Sequence, residues 1–238
     1  MFRKQLLAVV VVTAATASNF TIAGNGNDAS HKQLPDAYCL YDIGRLPGLP
    51  PGVTSISVTD INNRNQAIGW TTLSGGSIPL HAFIWDRTNG MRDLGQLPAL
   101  PATFPSGIND AGTIVGDANN ADTGEDRAII WPGGVGPQLL DISLGGRDSS
   151  ATDINRSGQI AGFSELSMTS DLGHAVLRET SGDVLDLGAF PEGDGFSFAA
   201  ALNNRGQVVG GSNGSFSTEA FIWDKRRGMR RLLESPGR

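Results

Sequence analysis

Apolar and polar residues alternate over short stretches along most of the chain, and each stretch ends in a cluster of Asn, Asp, Gly or Arg. Alternation over four to eight residues between turn residues is typical of β-strands joined by hairpins. The 3.6-residue periodicity of an amphipathic helix does not extend far enough anywhere to compete with it. The pattern therefore predicts an all-β protein.

One of these stretches recurs at nearly constant spacing. HAFIWD at 81–86 returns as EAFIWD at 219–224, and weaker copies are RAIIW at 127–131 and HAVLR at 174–178. The first residues are separated by 46, 47 and 45 positions. A fixed period of this length is the signature of a repeat architecture.

A tight hairpin turn is predicted before each copy, where an apolar residue is followed by Asn, a turn cluster and more apolar residues. The Asn residues are Asn62, Asn109, Asn155 and Asn203. The fourth turn residue is Gly112, Gly158 or Gly206 in three units and Asn65 in the other. Gly and Asn are the residues that best tolerate a positive φ, so we expect a left-handed residue there. The leading Asn is expected to bond the turn's own backbone.

A second hairpin follows each copy and returns as a short strand ending in an Asp-Leu-Gly element. We assign its ends to Asp93-Leu94, Asp141-Ile142, Asp186-Leu187 and the degenerate Arg231-Leu232. Each unit of about 47 residues thus contains four short strands, which is typical of a propeller blade. We predict a β-propeller-like array of four four-stranded blades in one repeat domain, 37–238, with repeats at about 45–95, 96–142, 143–188 and 189–233.

The number of strands bears on closure of the propeller. An additional copy of the returning strand, Asp42-Ile43-Gly44, precedes the first full unit, so one terminal strand is surplus. The last unit also stops directly after a strand. We expect an incomplete arc whose open ends favour self-association; the alternative is a closed four-bladed ring.

The N-terminal residues have the pattern of an export signal. Arg3 and Lys4 precede an apolar run of about 12 residues that ends near Ala17 in an A-x-A site. This run is shorter than the roughly 20 residues of a membrane span, so we predict a signal peptide over 1–17 rather than an integral membrane anchor. A flexible leader is expected over 18–36, and the protein would be secreted or periplasmic after cleavage.

Charge and cysteine content narrow the classes of partner. Removing Arg3 and Lys4 would leave 16 basic and 24 acidic residues, a net charge of −8, which disfavours nucleic-acid binding. Cys39 is the only cysteine, so an intramolecular disulfide is excluded.

The three recurring elements together resemble the HAF-repeat family of predicted extracellular bacterial proteins. His81-Ala82-Phe83 spells the family's name, and the Ile-Asn-x-x-Gly and Asp-Leu-Gly elements accompany it over roughly residues 38–233. The resemblance implies a secreted repeat protein of propeller type without an established activity. The sequence departs from the pattern at Arg178, Glu219 and Arg231.

Several motifs were weighed as sites of chemistry. The segment 210–214 matches G-x-S-x-G, but that elbow requires a following helix, so we interpret it as a Gly/Ser loop. His81 and His174 could share a metal, although repeat positions on a strand edge are the simpler interpretation. The loop Asp117 to Asp126 is the best candidate for a weak Ca²⁺ site, and otherwise a solvated loop.

Two further sets of residues have both a binding and a structural interpretation. The tryptophans could form a ligand platform, but recurrence at one strand position favours packing between blades; they are Trp85, Trp131 and Trp223. A basic cluster near the C-terminus could bind a polyanion or cap a terminal strand; it comprises Lys225, Arg226, Arg227, Arg230 and Arg231. No catalytic, cofactor-binding or metal-ligating residue is assigned.

The favoured function is a non-catalytic exported module for interaction or scaffolding, with an unidentified protein or polymer as partner. Repeated positions serve packing, which leaves variable loops free to bind. The alternative is a propeller-type hydrolase or lyase acting on an extracellular polymer. That alternative requires polar residues from several blades to converge on the central channel of the propeller.

Overall fold

The computed structural model describes residue 43 and residues 53–73, 79–214 and 217–232. Its sixteen strands form four antiparallel sheets, each with its four strands in chain order. The first sheet contains β1 (Val53–Ile61), β2 (Ala67–Leu73), β3 (Pro79–Asp86) and β4 (Gly90–Asp93). The second contains β5 (Ala102–Ile108), β6 (Ile114–Asn120), β7 (Glu125–Trp131) and β8 (Gln138–Leu139). The third contains β9 (Ser149–Ile154), β10 (Ile160–Ser167), β11 (Ser170–Arg178) and β12 (Val184–Asp186). The fourth contains β13 (Ser197–Leu202), β14 (Val208–Asn213), β15 (Thr218–Asp224) and β16 (Gly228–Arg231).

The all-β prediction with four four-stranded units is confirmed. Within the described ranges the helical content is a single 3₁₀ turn, Pro132–Gly134, and no helix there is long and apolar enough to cross a membrane. Phe83 and Phe221 occupy the same register position, since each pairs with a glycine of the second strand, Gly69 or Gly210. The predicted signal peptide, the leader and Cys39 lie outside the described residues.

The turn between the first two strands has the predicted geometry in all four units. Asn65 is the only described non-glycine residue with a positive φ, at 58°, and Gly112, Gly158 and Gly206 match it at 84°, 89° and 73°. The leading Asn accepts two backbone N–H bonds within its own turn. For Asn62 these come from Arg64 and Gln66, both at 3.0 Å.

A glycine in each second strand is required by a close backbone approach. A Cβ atom at Gly116 would lie 2.0 Å from the carbonyl oxygen of Phe104 on the first strand. The equivalent distances at Gly69, Gly162 and Gly210 are 1.9, 2.2 and 2.0 Å. A bulge in the first strand pair lies close to this contact in every sheet. The glycine that recurs at this position in every unit therefore reflects this contact between the first two strands.

Consecutive sheets pack face to face and bury an apolar layer at each of three junctions. We call the face of a sheet toward the preceding sheet its leading face and the opposite one its trailing face. At the first junction, Ala82 and Ile84 of the trailing face pack with Ile129 and Trp131 of the next leading face. Trp131 is fully buried, and its Nε1 donates to the carbonyl of Leu94 at 3.1 Å. Trp223 packs between the third and fourth sheets, so both tryptophans serve junction packing.

A ladder of asparagine side chains links the sheets across the same junctions. Nδ2 of Asn62 donates to the carbonyl of Asn109 at 3.0 Å, Asn109 to Asn155 at 3.3 Å, and Asn155 to Asn203 at 3.1 Å. The three donor residues are buried. One side chain thus closes its own turn and joins that turn to the next sheet, which explains why Asn recurs there.

Contacts between the sheets follow the order of the chain. Among the described strands the first sheet contacts the second, the second contacts the third and the third contacts the fourth, whereas no extensive contact joins the first sheet to the fourth. Ile43 packs against the leading face of the first sheet beside Phe83 and Met91. Closure between the first and fourth sheets is therefore not found among the described strands.

One assignment of the returning strands was wrong. In the second unit Leu139 pairs with Ile129, as Asp93 pairs with Phe83, so Leu139-Leu140 are the counterparts of Asp93-Leu94. Asp141-Ile142, the predicted counterpart, lies two residues farther along the chain. The short β8 ends before Asp141, and Ile142 contributes to the core as a separate buried residue.

Candidate functional site

An open cleft of about 570 Å³ lies between the second and third sheets. Four carboxylates line it, Asp117 and Asp126 from the second sheet and Asp148 and Glu165 from the third, together with Phe104 and Phe163. We call this the acidic cleft. Its acids come from β6, β7, the segment before β9, and β10, so two repeats build it together.

Three of the four carboxylates have polar partners. Glu165 is buried and its Oε2 accepts from the backbone N–H groups of Arg147 and Asp148 at 3.1 and 3.0 Å. Asp148 accepts from the Arg147 side chain at 3.0 and 3.1 Å and from the backbone of Asp126 at 3.2 Å. Asp126 accepts from Asn119, its cross-strand neighbour. These contacts fix the positions of the Asp126, Asp148 and Glu165 carboxylates.

Asp117 differs because it has no hydrogen-bond or ion-pair partner among the described residues. Burial and the nearby Asp126 carboxylate raise the pKa of Asp117 from 3.8 to about 7. Burial, together with the Asp148 carboxylate, also raises the pKa of Asp126. Near neutral pH the carboxyl of Asp117 is therefore about half protonated.

The residue at one position of the second strand differs between the sheets, and this difference explains why the acidic cleft lies at this junction. Asp117 is equivalent in register to Trp70 in the first sheet and Phe163 in the third. Trp70 packs edge-on against Phe104 of the following sheet, with ring centroids 6.0 Å apart, and Phe163 lies 5.5 Å from Phe196. An aromatic residue fills the first and third junctions, whereas the second has a carboxyl at this position.

The predicted loop Asp117 to Asp126 is instead a β-hairpin. Its residues extend along β6 and β7 and turn at 121–124, so Asp117 faces the cleft while Asp122 is exposed in the turn. In the part of the chain that the structure describes, no three His, Cys, Asp or Glu side chains are arranged to hold a metal ion. The convergence of Asp117 and Asp126 follows from hairpin pairing, and Asp148 and Glu165 were not singled out from the sequence.

His81 and His174 lie on different sheets, and each faces an aspartate across a strand pair. Nδ1 of His81 is 2.7 Å from Asp93 Oδ2, a contact without hydrogen-bond alignment, and Nδ1 of His174 is 2.7 Å from Asp186. In the fourth sheet an acid replaces the histidine and an arginine replaces the aspartate, and Glu219 pairs with Arg231. The departures from the repeat therefore compensate one another. The constant spacing of 12 residues between the two members of each pair is the sequence signal that could have revealed these contacts.

The remaining candidates have structural roles. Ser212, the serine of G-x-S-x-G, is fully buried within β14 and accepts from the backbone of Phe190 at 2.9 Å. In the basic cluster, Arg230 pairs with Asp224 at 2.8 Å, and Arg231 lies over the ring of Phe190 and pairs with Glu192. Lys225 reaches Glu179 at 3.8 Å. Intramolecular ion pairs thus occupy three of its five cations.

Comparison of the chain with protein-family models and with curated proteins finds no match.

Proposed function

We propose that this protein is a non-catalytic exported module for interaction or scaffolding, and that the acidic cleft binds a cationic segment of its partner. The proposal rests on one observation. Of the three junctions, one has four carboxylates and an open volume at the position where the others have packed aromatic rings. The repeated positions hold the sheets together, and this cleft departs from them.

The chemistry of the acidic cleft favours lysine or arginine side chains as ligands. Carboxylates attract the charged head of such a side chain, and the lining of the cleft also includes Phe104 and Phe163, a residue type whose ring attracts cations. An entering cation would stabilise the ionised form of Asp117, which burial alone disfavours. Binding and deprotonation of Asp117 are therefore coupled, and affinity should increase as the pH rises through about 7.

A labelled peptide tests the proposal. The probe is a fluorescein-labelled peptide with a Lys-Arg-Lys segment, and its Gln-substituted counterpart is the reference in fluorescence anisotropy at physiological salt. We expect wild-type affinity to rise about tenfold between about pH 6 and pH 8, and this rise to disappear in Asp117→Asn.

Asp122→Asn is the matched control, because Asp122 is an exposed acid of the same hairpin. It removes the same charge without touching the acidic cleft. Equal loss of affinity in Asp122→Asn and Asp117→Asn would mean that only the overall negative charge attracts the peptide, which contradicts the proposal.

A hydrolase or lyase acting on an extracellular polymer is the second candidate. The observation that favours it is the raised pKa of Asp117 beside a second carboxylate, a combination used for general acid catalysis. Release of reducing ends from anionic or neutral polysaccharides by the wild type, and its loss in Asp117→Asn, would establish this candidate. The proposed export follows the N-terminal pattern and the HAF-repeat resemblance, and envelope fractionation of the native cells tests it.

A further inference from the structure

The trailing face of the fourth sheet lacks the cover that the same face has in the other three sheets. The leucine after the fourth strand is 2%, 7% and 5% exposed at Leu94, Leu140 and Leu187, but Leu232 is 49% exposed. Ala220 is likewise exposed, whereas its counterparts in the first three sheets are buried. The difference arises because each of those sheets is covered by the next one.

The polar contacts of the junction also end at this face. Asn203 is exposed, and its Nδ2 donates to Gln207 at 2.8 Å. The equivalent Asn155 donates both to Gln159 and to the carbonyl of the next turn. The amide of Asn203 therefore has one donor without an acceptor among the described residues. At the internal junctions the equivalent acceptor is a turn carbonyl beside an apolar sheet face.

The first sheet of the same chain offers that combination. Its leading face carries Phe83 and Trp85 where the second carries Ile129 and Trp131. Beside this face, Asn63 is equivalent to Asn204, whose Oδ1 accepts from the backbone of Arg156 at 2.9 Å. Oδ1 of Asn63 accepts from no described residue, so it can receive the backbone N–H of an incoming turn.

An aspartate at one position of the first strand occurs in every second sheet, and this alternation determines which sheet can follow which. Asp60 and Asp153 each bind a backbone N–H of the following sheet, Ile108 at 2.9 Å and Leu202 at 2.7 Å. Their counterparts in the second and fourth sheets are Gly107 and Ala201, which have no side-chain acceptor.

The junction between the second and third sheets shows how such a face is matched. There, the preceding sheet offers no side-chain acceptor, and the backbone N–H of Ile154 donates instead to the side chain of its neighbour Asp153 at 2.8 Å. Ile61 does the same with Asp60 at 2.8 Å. The first sheet can therefore follow the fourth as the third follows the second.

We propose that a second copy of this chain docks head to tail, with the leading face of its first sheet on the trailing face of the fourth sheet. Leu232 then displaces the partner's own Ile43, which packs on the fully buried Phe83 of that face; Leu94 packs in the same way with Ile129 and Trp131 at the first junction. This contact continues the three junctions already present in the fold. It uses a surface separate from the acidic cleft and does not depend on the proposed function.

Light scattering across a concentration series tests the association. We expect the wild-type mass to rise from one chain toward two or more, and Leu232→Asp to remain at one chain. Leu139→Asp is the matched control, since Leu139 is 57% exposed near the corresponding end of the second sheet but lies away from the trailing face. A wild type that stays monomeric throughout, or a Leu232→Asp variant that still associates, would overturn the proposal.

Cysteine pairs test the orientation in a Cys39→Ser background. Asn204→Cys combined with Asn63→Cys should form disulfide-linked multimers, because turns at equivalent positions are in hydrogen-bond contact at the internal junctions. Asn204→Cys alone should stay uncrosslinked. Crosslinking of that single variant would indicate trailing faces packed on each other. A disulfide within one chain would indicate a closed ring, and either result would refute the head-to-tail contact.

Discussion

The acidic cleft should make the protein less stable as the pH rises, and Asp117→Asn should remove most of that dependence. The pKa of Asp117 is about 7 in the folded state against 3.8 for the free side chain. Between these values the folded protein keeps a proton that the unfolded chain has released. The free energy of unfolding therefore falls by as much as about 1.4 kcal/mol per pH unit, and by about 4 kcal/mol across the window.

The stability contributed by protonated Asp117 is present below about pH 4 and is lost as the pH approaches 7. Asn has the same shape and no charge at any pH. We therefore expect Asp117→Asn to match the wild type at about pH 4 and to exceed it by about 2–4 kcal/mol at about pH 8, the lower value allowing for partial solvation of the carboxylate.

Urea denaturation followed by tryptophan fluorescence at several pH values measures this difference. Other acids act in the opposite sense: hydrogen bonds lower the pKa of Asp86 and Asp110, so these groups add stability as the pH rises. Subtracting wild type from variant at each pH cancels them. Asp122→Asn should follow the wild-type pH profile. A difference between Asp117→Asn and wild type that does not change with pH would show that this reasoning about burial is wrong.

Two further predictions concern the junction ladder and the glycine contact. Asn109→Ala removes the acceptor of two turn N–H groups and a donor to the next sheet, so it should cost about 2–4 kcal/mol of unfolding free energy, whereas Asn203→Ala, at the exposed end, should cost about 1 kcal/mol. Equal losses in chemical denaturation would argue against the ladder. Gly116→Ala places a methyl group 2.0 Å from a backbone carbonyl oxygen and should cost more than about 3 kcal/mol, while Gly136→Ala, with open space around it, should change the melting temperature little. Comparable melting temperatures for these two variants would exclude the backbone contact.

The sequence repeat was sufficient to predict the strands, the turns and the number of sheets. Local chemistry explains this success, because the fourth turn residue has a positive φ in every unit, which favours Gly or Asn. Three units have Gly there, and the unit without Gly has Asn65. Alternation of apolar residues specified which strand positions face a neighbour. The second unit misled the assignment because Asp141-Ile142 resembles Asp93-Leu94 in composition, while strand register is set by pairing with Ile129.

The acidic cleft and the open end depend on contacts between units, which a repeat pattern does not encode. Asp117 and Asp126 are close because β6 and β7 pair, but Asp148 and Glu165 join them only where the second and third sheets meet. Position-by-position comparison of the units would have shown that Asp117 is polar where the units before and after it have Trp70 and Phe163. The pKa of its carboxyl, however, depends on desolvation and on the distance to other charges. The sequence by itself determined the blade and its repetition, and the tertiary structure alone decided which surfaces the blades cover and which they leave open.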